Sequence, residues 1–407
     1  MTIAWALALV AALATPASMA GPVTGKTVGK PAPPPPPYVG AYQPKGVDEL
    51  GLWREDDESE RALSNSPLVI RDEALNTYVR GVLCATVGDD RCKSVRIYIL
   101  RVPLFNASMS PNGTMRVYTG LLLRATSEAE LAAVLGHEFG HFENRHTLNM
   151  FKAARTSTDL LSWAAVLTSM TGNRQAYQSF NSLQVSVLGG LARFGRDQER
   201  EADLLGLGYL NNGPLRPHSA SRIWRNLILE AEASAAARGL NKPDFKRISF
   251  FASHPPEGER ADYLYALAAP DAEGRQDGAD RYAAAMASWL PGFLDDQIAL
   301  NDFGGSEFLI NRLGEGGWTA DLWRARGDLF RARGHQRDLM NAADYYGKAV
   351  ALKPDMASAQ RGLGLSLVKT GRVGEGRAAL QRYLQLAPQA PDAAMIGMTI
   401  TSLGETP

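Results

Sequence analysis

His137-Glu138-Phe139-Gly140-His141 restricts the fold of this 407-residue chain more than any other feature. The pentad sits in a run opened by Ser127-Glu-Ala-Glu130, a capping box that predicts a helix continuing to about Met150. Residues four apart on a helix differ by about 40° around the axis, so both imidazoles leave one face a turn apart. At that spacing two ring nitrogens can share one zinc ion at about 2.0–2.1 Å. Glu138 stands between them, where it can take a proton from water at such an ion. Leu131, Val134, Leu135 and Phe139 give the helix a buried aspect, in which unpaired imidazoles would be costly.

Two histidines need a third ligand from elsewhere in the chain. Glu199-Arg-Glu-Ala-Asp203 begins 58 residues after His141. Glu199 and Asp203 share a helix face, whereas Glu201 lies about 160° from Glu199. Glu199 is therefore the expected ligand, and Asp203 is expected to accept the second N–H of a ligating imidazole. His146 is about 140° from His141 on a continuous helix, so it is expected to point away and serve structure. His218 and His335 carry no signal. His254, followed by Pro255 and Pro256, reads by spacing alone as a satisfied loop histidine.

Composition narrows the remaining classes. Lys+Arg and Asp+Glu are both 43, which lacks the basic excess of a phosphate-binding chain and excludes nucleic acid as a partner. Residues 1–20 read as a signal peptide, with Ser18-Met19-Ala20 before a cleavage site at Gly21; an uncleaved N-terminal anchor is the alternative. In the oxidising compartment that a leader implies, Cys84 and Cys92, eight apart across Gly88-Asp-Asp90, are expected to form a disulfide. Residues 21–47, with Pro33–Pro37, read as an extended linker. Helix is expected from about Asp48 to Val87 with Ser66-Pro67 as its cap signal, and strands at Val95–Arg101 and Met115–Tyr118. The latter strand is expected to offer its edge to an extended peptide. Apolar stretches at 160–167 and 183–191 are too short to span a bilayer and read as covering or interfacial helices. Further helices are expected at 197–211, 219–238 and 257–269. Trp323, Gly327, Phe330, Gly334, Ala342, Tyr346 and Pro354, then Gly364, Leu367, Gly371, Leu380, Tyr383 and Pro388, follow a tetratricopeptide pattern, with 280–315 as a helical extension.

His-Glu-Phe-Gly-His, Glu-Arg-Glu-Ala-Asp and Ser253-His-Pro-Pro-x-x-x-Arg260, together with Asn106–Leu122 and Glu128–Gly136, resemble the zinc metallopeptidase family that includes HtpX, Oma-type proteases and the CAAX prenyl protease. The resemblance covers roughly residues 65–267. It is nearest to the periplasmic BepA-like type, which has a leader, no membrane span and a tetratricopeptide tail, although the tail here looks shorter and the proline-rich segment is extra. It implies a mainly α fold with a small β-sheet and an α+β zincin-type domain at 48–269; the linker composition of Pro270–Gly278 then marks a linker at 270–279, and the repeat pattern an all-α domain at 280–407. It implies one zinc ion on His137, His141 and Glu199, with Glu138 as the catalytic base. His254 would occupy the ion's fourth position as a gate, and Arg260 would support the site. The expected function is a periplasmic or secreted endopeptidase acting on misfolded or mis-assembled envelope proteins. Its partners would be protein or peptide substrates and a protein docked on the repeats, with membrane contact limited to the peripheral kind. The alternative is a chaperone-like binding module whose metal site is mainly regulatory.

Overall fold

The computed structural model describes residues 42–171, 174–244, 257–270 and 274–404. The expected leader at 1–20, the proline-rich stretch up to residue 41, and His254 lie outside the described residues.

The expected first helix is two helices, Gly46–Ser64 (α1) and Glu73–Val87 (α2). Ser66-Pro67 is not the cap. Asp72 caps α2, its Oδ1 accepting from the Leu75 N–H at 2.8 Å. After a turn at 65–68 the intervening segment is extended and bridges Leu100 through Val69, with Ile70 N–H donating to Ile99 O and Arg101 N–H to Leu68 O. Leu75, Val79 and Val82 on α2 are buried, as their helical spacing requires. One turn, Asp89–Cys92 (α3), follows, and a disulfide joins Cys84 to Cys92 with Cα atoms 5.1 Å apart.

Three strands form one sheet: Arg96–Leu100 (β1), Ala107–Met109 (β2) and Thr114–Tyr118 (β3), in the order β1-β3-β2. β1 and β3 are parallel from Arg96↔Thr114 to Leu100↔Tyr118; β2 and β3 are antiparallel from Ala107↔Val117 to Met109↔Met115. The expected edge strand at Met115–Tyr118 is thus the central one. β2 has three residues, too few to display an alternation in the sequence, and it forms the outer strand beside the next long helix.

After Thr119–Arg124 (α4) comes Glu128–Glu143 (α5), which carries the pentad and is buried along almost its whole length. Ser127 Oγ accepts from the Glu130 N–H, and the Glu130 carboxylate reaches back to the Thr126 N–H at 2.7 Å. α5 does not run to Met150. It ends at Asn144, and Arg145 takes φ +55°, a left-handed conformation unusual for a residue with a side chain. Tertiary contacts hold it there: the Arg145 guanidinium pairs with Glu49 of α1 at 2.9 Å and lies over the Tyr42 ring.

The chain continues through His146–Thr171 (α6), Arg174–Asn212 (α7), Ser219–Ala237 (α8) and Glu257–Leu267 (α9). Ala279–Met286 (α10), Leu290–Ile298 (α11) and Phe303–Leu313 (α12) lead into two helical hairpins, Ala320–Arg333 (α13) with Gln336–Leu352 (α14) and Ala357–Lys369 (α15) with Val373–Leu386 (α16), then Ala393–Ser402 (α17). Small residues set the hairpin spacing: a Cβ on Gly327 or Gly362 would fall 2.8 or 2.3 Å from the buried Tyr346 ring.

The linker composition at 270–279 does not mark a structural divide. Gln276 bridges Leu215, Asp277 O accepts from the Ala129 N–H, and one buried apolar cluster runs from Ile70 to Ala359. Buried polar contacts join the same parts: Arg124 donates to Gln297 Oε1 at 3.0 Å, and Arg312 pairs with Glu130 at 3.1 Å. The extension at 279–313 therefore packs on both the sheet-bearing part and the repeats.

Candidate metal centre

The site is made by two helices crossing at unusually short range. α5 presents His137 and His141; α7 presents Glu199 and Asp203. Glycines permit the approach. A Cβ on Gly206 of α7 would fall 2.9 Å from His137 N, and one on Gly140 of α5 would fall 3.1 Å from Ala202 O. With hydrogen at both crossing points, the side chains on either side of the contact can meet.

His137 Nε2 and His141 Nε2 are 3.1 Å apart; Glu199 Oε1 is 3.3 Å from His141 Nε2, and Glu199 Oε2 is 3.5 Å from His137 Nε2. Donors about 2.0–2.1 Å from one tetrahedral ion sit about 3.3 Å from each other, so two imidazoles and a carboxylate at these separations fit zinc. All three ligand atoms lie within 4.8 Å of one another. Glu138, the residue after the first histidine, is also buried.

Behind His137 lies a charge network centred on the buried Asp203 and Arg260. Its Nδ1 is 2.8 Å from Asp203 Oδ1, which fixes the tautomer with Nδ1–H donating and Nε2 facing the centre. Arg260 of α9, 1% exposed, donates through Nε to Asp203 Oδ2 at 2.8 Å and through Nη2 to Oδ1 at 2.5 Å. Tyr263 donates to the same carboxylate, and the Trp224 ring lies under the Arg260 guanidinium at 3.7 Å. Burial works against the charge on Asp203, but Arg260 and His137 hold its carboxyl well below the usual range. Burial likewise pulls His137 down, and Asp203 reverses this, pushing it up to about 9 in the metal-free protein. His141 has no such carboxylate behind it, and burial leaves it at about 4, already in the neutral form a ligand needs.

His141 is oriented by a residue that sequence spacing misassigned. Because α5 stops at Glu143, His146 begins a new helix and folds back: its Nδ1 is 2.9 Å from His141 Nδ1 and its Nε2 is 3.1 Å from Glu201 Oε2. Glu201 does face away from Glu199, and from there it reaches His146. The chain Glu201–His146–His141 mirrors Arg260–Asp203–His137 on the other side. The helical angle that excluded His146 assumed an unbroken helix. The only signal available was Asn144-Arg145, a weak helix stop. Glu49, Met109, His141, Phe142 and Arg145 line a common crevice beside the site, which links it to the outer strand β2.

Helix-borne histidines completed by a carboxylate from a later helix, beside a small mixed sheet, form a candidate metal site of the kind zincin-type metallopeptidases carry. Residues 71–268, just under half of the chain, match Peptidase family M48, and residues 328–391 match a tetratricopeptide repeat. Among curated proteins it is similar to the mitochondrial metalloendopeptidase OMA1 of Schizosaccharomyces pombe, with 26% identity over 46% of this chain and 50% of the relative. It is also similar to the metalloprotease YcaL of Escherichia coli, with 28% identity over 39% of this chain and 56% of the relative. The beta-barrel assembly-enhancing protease of E. coli shares 21% identity over 43% of this chain and 37% of the relative. The chain thus spans little more than half of the length of these relatives, or less.

Proposed function

We propose that this protein is a zinc-dependent endopeptidase of the periplasm that cleaves misfolded or mis-assembled envelope proteins. The convergence of His137, His141 and Glu199 donors within bonding range of one ion carries the reading. Those three residues would hold zinc, which when bound supplies Lewis acidity toward a scissile carbonyl and an attacking water. Glu138 would take the proton from that water and deliver it to the leaving amine. Asp203 and His146 fix the ring orientations of the two histidines, and Arg260 neutralises Asp203 so that the pair can stay buried. β2 would align an extended substrate by backbone hydrogen bonds, which gives affinity with little side-chain preference and suits unfolded clients. His254 would gate the fourth position, and the repeats at 280–407 would dock a client or partner. An envelope client is supported by the leader-like N-terminus and by the name of the beta-barrel assembly-enhancing relative.

Glu138→Gln tests this directly. The variant should bind one zinc per chain while casein cleavage falls at least a hundred-fold, within the range of general-base loss. Undiminished cleavage would remove Glu138 from the chemistry. Rescue of a deletion strain by the same variant would instead favour a chaperone-like role for the repeats.

A further inference from the structure

The α6–α7 hairpin has an exposed apolar surface that the metal centre does not use. Its helices pack on each other, and Leu161, Phe180 and Leu183 are half-buried. On the outside, Leu160, Trp163, Leu167 and Met170 recur every three or four residues along α6, with Trp163 70% and Met170 78% exposed. Val185 and Leu188 on α7 are exposed as well. This is the reverse of a cleft cover, whose apolar face would be buried against the protein.

Charge indicates what the surface meets. Residues 160–192 contain one charged side chain, Arg174. Over 147–196 there are five cations, Lys152, Arg155 (which pairs with Asp48), Arg174, Arg193 and Arg196, against the single Asp159, whereas the whole chain is neutral. An uncharged apolar stripe with an exposed Trp, in a segment of local positive charge, has the make-up of an interfacial helix. Among the described residues no helix is long and apolar enough to cross a membrane. A second copy of the hairpin would bring the same excess of cations against these, which charge disfavours.

We propose that the α6–α7 hairpin docks on an anionic phospholipid surface, seating the Leu160–Met170 stripe at the headgroup–acyl boundary. The other half of α7 carries Glu199, so docking would hold the metal centre beside the membrane. The proposal stands independently of the peptidase reading.

Flotation with phosphatidylglycerol-containing vesicles tests it. The full chain should float with them, at least ten-fold less with pure phosphatidylcholine, and at least ten-fold less in 0.5 M salt. Replacing Leu160, Trp163, Leu167 and Met170 together by Ser should reduce binding at least ten-fold; unchanged flotation overturns the proposal. Because both cysteines are in a disulfide, Met170→Cys gives a single labelling site. An environment-sensitive dye there should shift to the blue on anionic vesicles, while one at exposed Met340→Cys should not. A dye at 170 that still reports water on floated protein means another segment, such as the leader, holds the membrane, and overturns it. So does a concentration-dependent dimer that the Ser variant abolishes without any vesicle binding.

Discussion

Gly206→Ala isolates the helix crossing from the chemistry. An added Cβ would lie 2.9 Å from His137 N and 3.2 Å from both Gly136 C and His137 Cα, all backbone atoms of α5 that cannot swing aside. Ordinary contact begins at 3.4 Å, so α7 must retreat by about 0.5 Å. Metal–donor distances tolerate roughly 0.2 Å, so the retreat should pull Glu199 out of register with the two histidines and lower zinc affinity at least ten-fold. Overpacking of this kind costs about 1–3 kcal/mol, offset by up to about 1 kcal/mol from replacing a helical glycine. Gly208 provides the control: it is two residues further along the same helix, and an added Cβ there meets nothing within 4 Å. Gly208→Ala should keep zinc affinity and gain up to about 1 kcal/mol of stability. Zinc competition against a chromophoric chelator, with a thermal melt of each metal-free protein, reads both quantities. Equal affinities in the two variants would refute the claim that backbone contact at Gly206 sets the ligand geometry.

Other consequences can be checked separately. His146→Leu should weaken zinc binding by roughly ten-fold or more in the same competition assay, because His141 loses its orienting partner; wild-type affinity would show that the His146–Glu201 chain is incidental. Cys84→Ser with Cys92→Ser should lower stability by about 2.5 kcal/mol through the short loop they close, and reductant should shift the melting of the parent but not of the double variant. Hydrogen bonds from Arg96 hold the Glu60 carboxyl down at about 2, against 4.5 for an ordinary glutamate. A lowered carboxyl pKa contributes stability that is complete above about pH 4.5 and is lost as pH falls through about 2. Pulsed hydrogen exchange over residues 46–64 should therefore show α1 loosening across that window. Glu60→Gln should show little change there, and an identical acid profile would refute the assignment.

Much of the site was legible because one-turn spacing is a local property. A capped helix with histidines four apart fixes their common face, and a carboxylate pair four apart does the same, whatever the rest of the chain does. The tetratricopeptide pattern is local in the same way, since each small or aromatic position answers to a neighbour within one hairpin. The misreadings fell where long-range contacts override local preference. His146 turned inward because Glu49 and Tyr42, about a hundred residues away, hold Arg145 in a left-handed conformation that ends α5. Met115–Tyr118 became the central strand because Ala107–Met109, too short to show a pattern, paired along its second edge.

The sequence by itself determined which donors exist and which face of each helix they leave, since helical geometry repeats every few residues. Only the tertiary structure decided that they meet. The close approach of α5 and α7 over glycine, the burial of Arg260 behind Asp203, and the packing of the 279–313 helices against the sheet-bearing part all depend on atoms far apart in the chain. No periodicity records those distances, because they are set by how whole helices pack.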